Sequence, residues 1–151
     1  MKQCFLTRRG PKAIGPYSTA AILDGICYLS GMVPVDPATG KLAGEDVSTQ
    51  ARQVFENIKA VLEELNASTA DILKTTVFLT DLGTFGAVNE IYAEYFGPDY
   101  PARSCVQVSA LPMGGVDRGG GRRLPEMTVF LWAATPQDID TRYQIRQNEG
   151  V

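Results

Sequence analysis

The chain contains no histidine. That absence removes the usual base of serine and cysteine nucleophile pairs, and with it the commonest metal ligand. Cysteine is scarce as well. Cys4, Cys27 and Cys105 are scattered and odd in number, which fits reduced thiols in a cytoplasmic protein rather than a disulfide framework. No closely spaced cysteine pair or carboxylate cluster takes the place of histidine, so no metal site is expected. No apolar run approaches the ~20 residues that a membrane span needs. Residues 1–9 lack the apolar core and cleavage site of a secretory signal. Positive charge is not in excess either: 14 Lys and Arg against 17 Asp and Glu leave a net charge of −3, which argues against a nucleic-acid partner. There is no P-loop and no GxGxxG, and Gly119-Gly120-Gly121 lacks the strand–turn–helix setting that a phosphate loop requires.

What remains is an ordinary globular composition, 44% hydrophobic and 21% charged over 151 residues, enough for one domain with its own core. Residues 4–7, 18–23 and 26–34 read as strands. Asp24-Gly25 is a two-residue hairpin signal between the second and third. Gly31 interrupts the third, which predicts a bulge or a close backbone approach, and residues 34–40 read as a turn. Val47, Ala51, Val54, Phe55, Ile58, Val61, Leu62 and Leu65 recur at spacings of three and four and predict a helix. Asp46 or Ser48 is placed to cap it. Gln50, Arg52, Gln53, Glu56, Lys59, Glu63 and Glu64 form its expected wet face. Residues 72–79 are β-branched and apolar, a strand. A second helix starts at residues 81–84, with Phe85, Val88, Tyr92, Tyr95 and Phe96 as its apolar stripe. Asn89 lies beside that stripe, and Gly97-Pro98 is the stop.

Residues 100–108 (YPARSCVQV) form the last readable strand. Alternation places Ala102, Ser104, Val106 and Val108 on one face and Arg103, Cys105 and Gln107 on the other. An arginine in a β-prone run is either an edge-strand cation with its head in water or a planar fork waiting for a small carboxylate. The element order predicts an α+β domain, a sheet with both helices on one face. The opposite face would carry Tyr28, Thr76 or Phe78, and Val106 or Gln107. Its cover is expected to come from oligomerisation.

Five segments in register carry a resemblance: residues 13–18 (AIGPYS), 29–34 (LSGMVP), 74–79 (KTTVFL), 88–92 (VNEIY) and 101–104 (PARS). The chain resembles the RidA/YjgF family over residues 3–115. The resemblance implies a chorismate-mutase-like α+β fold with a mixed sheet, assembled as a homotrimer with sites in clefts between subunits. It implies hydrolysis of reactive 2-imino acids or their enamines, such as 2-iminobutanoate and 2-iminopropanoate, to 2-keto acids and ammonia, without a cofactor. Arg103 is expected to grip the substrate carboxylate. Tyr17, Ser30, Gly31 and Asn89 are expected to line the cleft, and the backbone at Cys105 to help hold substrate or water. With no histidine to activate it, Cys105 reads as a small buried hydrophobe rather than a nucleophile. The alternatives are a non-catalytic member that binds a small metabolite or a protein, and the ribonuclease or translation-inhibitor role attached to some relatives.

The resemblance stops where the family carries a final strand with a water-positioning glutamate. Here residues 116–123 read VDRGGGRR, a poor strand, with Arg118 at the position of that glutamate. With one base deleted after the Val116 codon, this run can encode Val-Ile-Glu-Val-Glu-Ala-Val-Ala. In that frame the junction of Met127 and Thr128 gives the stop TGA. The expected organisation is therefore a RidA-like domain over residues 1–115 that lacks its usual last strand, and an atypical tail over 116–151, read as out of frame, with a divergent natural C-terminus as the alternative. Within the tail, residues 127–134 (MTVFLWAA) are able to serve as a strand, and residues 135–151 read as polar and loose.

Overall fold

The computed structural model describes residues 1–112 and 127–134; of the side chains in the second stretch only that of Val129 is described. Expectations that fall on residues 113–126 and 135–151, Arg118 among them, lie outside the described residues. Strands β1 (Gln3–Phe5), β2 (Ala20–Leu23) and β3 (Ile26–Met32) lead to a small ladder of β4 (Val35–Asp36) and β5 (Lys41–Leu42). Helix α1 (Val47–Glu64), strand β6 (Ile72–Leu79), helix α2 (Phe85–Phe96), strand β7 (Ala102–Gln107) and strand β8 (Met127–Ala134) follow. The main sheet runs β1-β2-β3-β8-β6-β7; β7 lies parallel to β6 and the other neighbours are antiparallel. Two helices on a mixed sheet make the α+β domain that the sequence predicts.

Local chemistry explains three features of this layout. Asp24 and Gly25 both take positive φ, the geometry a two-residue hairpin needs, and they join β2 to β3. The β3–β8 register shifts between Leu29 and Met32, so Ser30 and Gly31 form the irregularity that Gly31 predicts. Asp46 is the N-cap of α1: its carboxylate accepts from the Thr49 amide at 2.8 Å and from the Thr49 hydroxyl at 2.7 Å. These bonds hold the Asp46 carboxyl below its usual range.

Two expectations are corrected and one alternative is resolved. Gln50, assigned to the wet face of α1, is only 2% exposed. It lies next to Ala51 on the buried side of the helix, where a three-to-four spacing cannot separate core from flank. The turn read over residues 34–40 narrows to residues 37–40, because Val35–Asp36 form β4 and pair with β5 just beyond the turn, two residues on each side, too short to show alternation. Gln107 turns toward the helices, where its Oε1 accepts from the Leu82 amide at 3.0 Å, so Val106 is the residue left on the open face.

The core lies between the helices and one sheet face. Phe55, Ile58 and Leu62 of α1 and Val88 and Phe96 of α2 meet Leu29 of β3, Val77 and Leu79 of β6 and Val129 of β8. Asn57 is buried among them and donates to the carbonyls of Val33 (3.1 Å) and Val35 (2.8 Å), which ties α1 to the segment entering β4. At its other end α1 anchors the N-terminal loop. The Glu64 carboxylate accepts from the Arg8 and Arg9 amides, each at 3.0 Å, and from the Thr7 hydroxyl. On the opposite sheet face Ile26, Tyr28 and Val106 are exposed among the described residues.

Candidate active site

Strand β7 is the last strand of the sheet, so one backbone edge of it has no partner strand among the described residues. Cys105 packs against the core, and Arg103, two positions earlier, shares that helix-facing side. Helix α2 crosses below it. Phe85, Asn89 and Tyr92 are four and three residues apart, which puts them on consecutive turns of one helix face. Arg103 lies along that face. Its Nη1 donates to Asn89 Oδ1 at 2.7 Å. Its Cζ lies 4.7 Å from the centroid of Tyr92 and 5.3 Å from that of Phe85.

The aromatic floor is itself held. The Tyr92 hydroxyl and the fully buried Thr75 Oγ1 are 2.8 Å apart. The Tyr92 ring packs against Phe96 (centroids 4.3 Å) and Phe55 (5.8 Å). Burial pushes the Tyr92 phenol up, with the Thr75 bond and the Arg103 charge acting in the opposite sense, so the ring stays neutral. Among the described residues the ion pairs are Arg9–Glu63 and Arg52–Glu94, and none involves Arg103. Arg103 is exposed and oriented, and among the described residues it is not matched to a carboxylate.

Burial likewise pushes the Cys105 thiol up, with the Arg103 charge opposing it. The thiol is therefore protonated at neutral pH and a weak nucleophile. Alkylation of Cys105 is expected to be slower than that of a free thiol at pH 7 and to accelerate only above the ordinary cysteine range. Mass spectrometry after iodoacetamide labelling across a pH series checks this, and rapid labelling at pH 7 refutes it.

The other expected site residues lie elsewhere. Tyr17, Ser30 and Gly31 line a cavity of about 850 Å³ together with Lys12, Phe78 and Leu111. The Tyr17 amide donates to the Gly15 carbonyl at 2.8 Å, which shapes the loop carrying the ring. The Ser30 hydroxyl donates to the Ser18 carbonyl at 2.7 Å, and its amide to the Thr19 carbonyl at 2.9 Å. Arg103, Asn89 and Cys105 do not line this cavity. One chain thus brings the six expected residues together as two groups, one under β7 and one beside the β3 irregularity. Phe85, Tyr92 and Thr75 were not singled out from the sequence. The four-and-three spacing around Asn89 was the available signal, but it read as core stripe.

Among the described residues no group of three His, Cys, Asp or Glu side chains is placed to hold a metal ion, and no helix is long and apolar enough to cross a membrane. Fold and site together define a small α+β protein with an oriented guanidinium at the end of its sheet. The chain belongs to the RidA/YjgF family: the family model described as Endoribonuclease L-PSP matches residues 7–117. It is 47% identical over 115 residues to the 2-iminobutanoate/2-iminopropanoate deaminase of Salmonella typhimurium, covering 74% of this chain and 89% of that protein. It is 40% identical over 114 residues to the human protein of the same name, covering 76% and 83%. Among solved structures, Escherichia coli TdcF with bound serine superposes with a TM-score of 0.77 at 37% identity, covering 89% of this chain and 99% of that one. The structural match thus spans a larger share of this chain than the sequence matches do.

Proposed function

We propose that the protein hydrolyses 2-imino acids of the 2-iminobutanoate and 2-iminopropanoate type to 2-keto acids and ammonia. The observation that carries this reading is Arg103: a planar fork bonded through one nitrogen to Asn89, exposed, and free of any ion pair among the described residues. A 2-imino acid presents a carboxylate next to its reacting carbon. Gripping that carboxylate in the plane of the guanidinium fixes where the imine carbon lies. The step itself needs no covalent nucleophile. Water oxygen adds to C2, the C–N bond breaks, the nitrogen leaves as ammonia, and no electrons are exchanged with a cofactor. The names of the Salmonella and human relatives support this substrate class.

We infer further that the active unit is a homotrimer with a chorismate-mutase-like subunit fold. The two groups of site residues would then meet across a subunit boundary, the cavity of one copy facing Arg103 of the next. The exposed Ile26, Tyr28 and Val106 on the open sheet face support burial against another copy. The three free cysteines support a cytoplasmic setting.

A second reading, binding without turnover, is favoured by one feature. The family match ends at residue 117, and the strand that occupies the sheet beyond it, MTVFLWAA, contains no ionisable residue. The glutamate that the resemblance places in the final strand has no counterpart there. The end of the match at residue 117 also supports the proposal that residues 117–151 are read out of frame; the source DNA decides that point.

The test generates 2-iminobutanoate in place with a threonine dehydratase and traps it with semicarbazide, in the presence of this chain or of a chain with the frame restored. Competition with the trap by both supports deamination by the chain as it stands. Competition by the restored chain alone, with 2-oxobutanoate still bound by both, moves the present chain to the binding reading. Failure of both refutes the deaminase reading. RNA cleavage by the metal-free protein would revive the ribonuclease alternative.

A further inference from the structure

We propose that Tyr92 and Phe85 are positioning residues for Arg103, with Thr75 as the group that fixes the Tyr92 ring. The inference rests on the reading of Arg103 as the carboxylate-binding group and says what makes that group selective. A guanidinium donates hydrogen bonds only in its own plane. Whatever sets that plane sets the direction from which a carboxylate is taken. Asn89 engages one nitrogen, Nη1, at 2.7 Å, and one hydrogen bond leaves rotation about its axis open. The rings close that freedom. Cζ lies 4.7 Å from the Tyr92 centroid and 5.3 Å from the Phe85 centroid, within cation–π range of both.

Tyr92 is suited to the task because it cannot tilt. Its hydroxyl meets the buried Thr75 Oγ1 at 2.8 Å, and its ring lies against Phe55 and Phe96. An exposed, long side chain on the end strand of a sheet would otherwise spread over many rotamers. The chain Thr75–Tyr92–Arg103 passes the rigidity of the core to a surface cation. Phe85, half-buried and one turn before Asn89, contributes the second ring with less attachment to the core.

The experiment measures the Kd of 2-oxobutanoate by calorimetry, and kcat and KM in the trapping assay, for the full chain and its variants. Tyr92→Leu is expected to raise Kd about tenfold and KM in step, with kcat nearly unchanged. Phe85→Leu is expected to raise Kd about threefold and is the deciding variant if Tyr92→Leu does not fold. Tyr92→Phe keeps the ring and is expected to hold Kd within about twofold while lowering the thermal midpoint, because Thr75 loses its partner. Val88→Ala, buried on the same helix, controls for simple loss of packing: a lower midpoint and an unchanged Kd are expected.

An unchanged Kd in Phe85→Leu, or a Kd raised as much by Val88→Ala as by Tyr92→Leu, overturns the inference. Arg103→Ala separates the two levels. If it leaves Kd unchanged, the reading of the site falls and takes this inference with it. If it abolishes binding while the ring variants bind normally, only the positioning role falls.

Discussion

Replacing Arg103 with alanine is expected to lower kcat/KM for 2-iminobutanoate on the order of 100-fold and to abolish measurable binding of 2-oxobutanoate. The size follows from what is lost. A carboxylate held by two charge-assisted hydrogen bonds gains about 3 kcal/mol over one left in water, and 1.4 kcal/mol is a factor of ten. The loss should appear in kcat as well as KM. The carboxylate adjoins the reacting carbon, so releasing it also releases the orientation of the imine toward water. Arg103→Lys keeps the charge without the fork and is expected to recover only part of the loss, since a lysine ammonium neither offers a planar group to the Tyr92 and Phe85 rings nor presents two parallel donors. Stability should hardly change: the side chain is exposed and forms no ion pair among the described residues. A variant with normal folding and wild-type trapping kinetics would remove the guanidinium from the site.

How much of this was legible in the sequence differs between elements. Helix α1 was, because eight apolar residues repeat at helical spacing and an aspartate stands where a cap belongs. The hairpin at Asp24-Gly25 and the irregularity at Gly31 were, because each depends on two residues and their backbone preferences. Gln50 was misread, since periodicity gives a face and not its width. Within the site, Arg103 and Asn89 were both named, but not the bond between them. That contact joins a strand to a helix through the packing of α2 against the sheet, and no local pattern encodes it. The same holds for Thr75, a buried hydroxyl in a β-branched run whose partner lies 17 residues further along.

Strand β8 is the sharpest case of non-local information and supports the second large effect. Residues 127–134 are legible as a strand from their apolar, β-prone run. Their own pattern does not give their place, which only the resemblance to a family with a last strand inside the sheet suggests: β8 enters the middle of the sheet and pairs with β3 on one side and β6 on the other. Its ladder to β6 runs from Ile72↔Ala133 to Leu79↔Met127, and its ladder to β3 from Ile26↔Ala134 to Met32↔Val129. A chain ending after residue 126 is therefore expected not to fold. It would leave the facing edges of β3 and β6 without partners and open the core where Val129, 1% exposed, packs among the helices. A chain ending after Ala134 keeps both ladders and is the comparison. Val129→Asp tests the same point without changing length: an unpaired carboxylate in that core is expected to cost more than about 4 kcal/mol, a large part of the roughly 5–15 kcal/mol that holds an ordinary domain folded. Circular dichroism and denaturant titration of these three chains and of a frame-restored chain read the outcome. If the chain ending at residue 126 folds as cooperatively as the one ending at Ala134, the central position of β8 is wrong. If it unfolds while a frame-restored chain of similar length folds, then two unrelated segments can complete the same sheet. The completing strand would then need only apolar, β-prone residues to make the fold, and a glutamate in it would not be needed for folding.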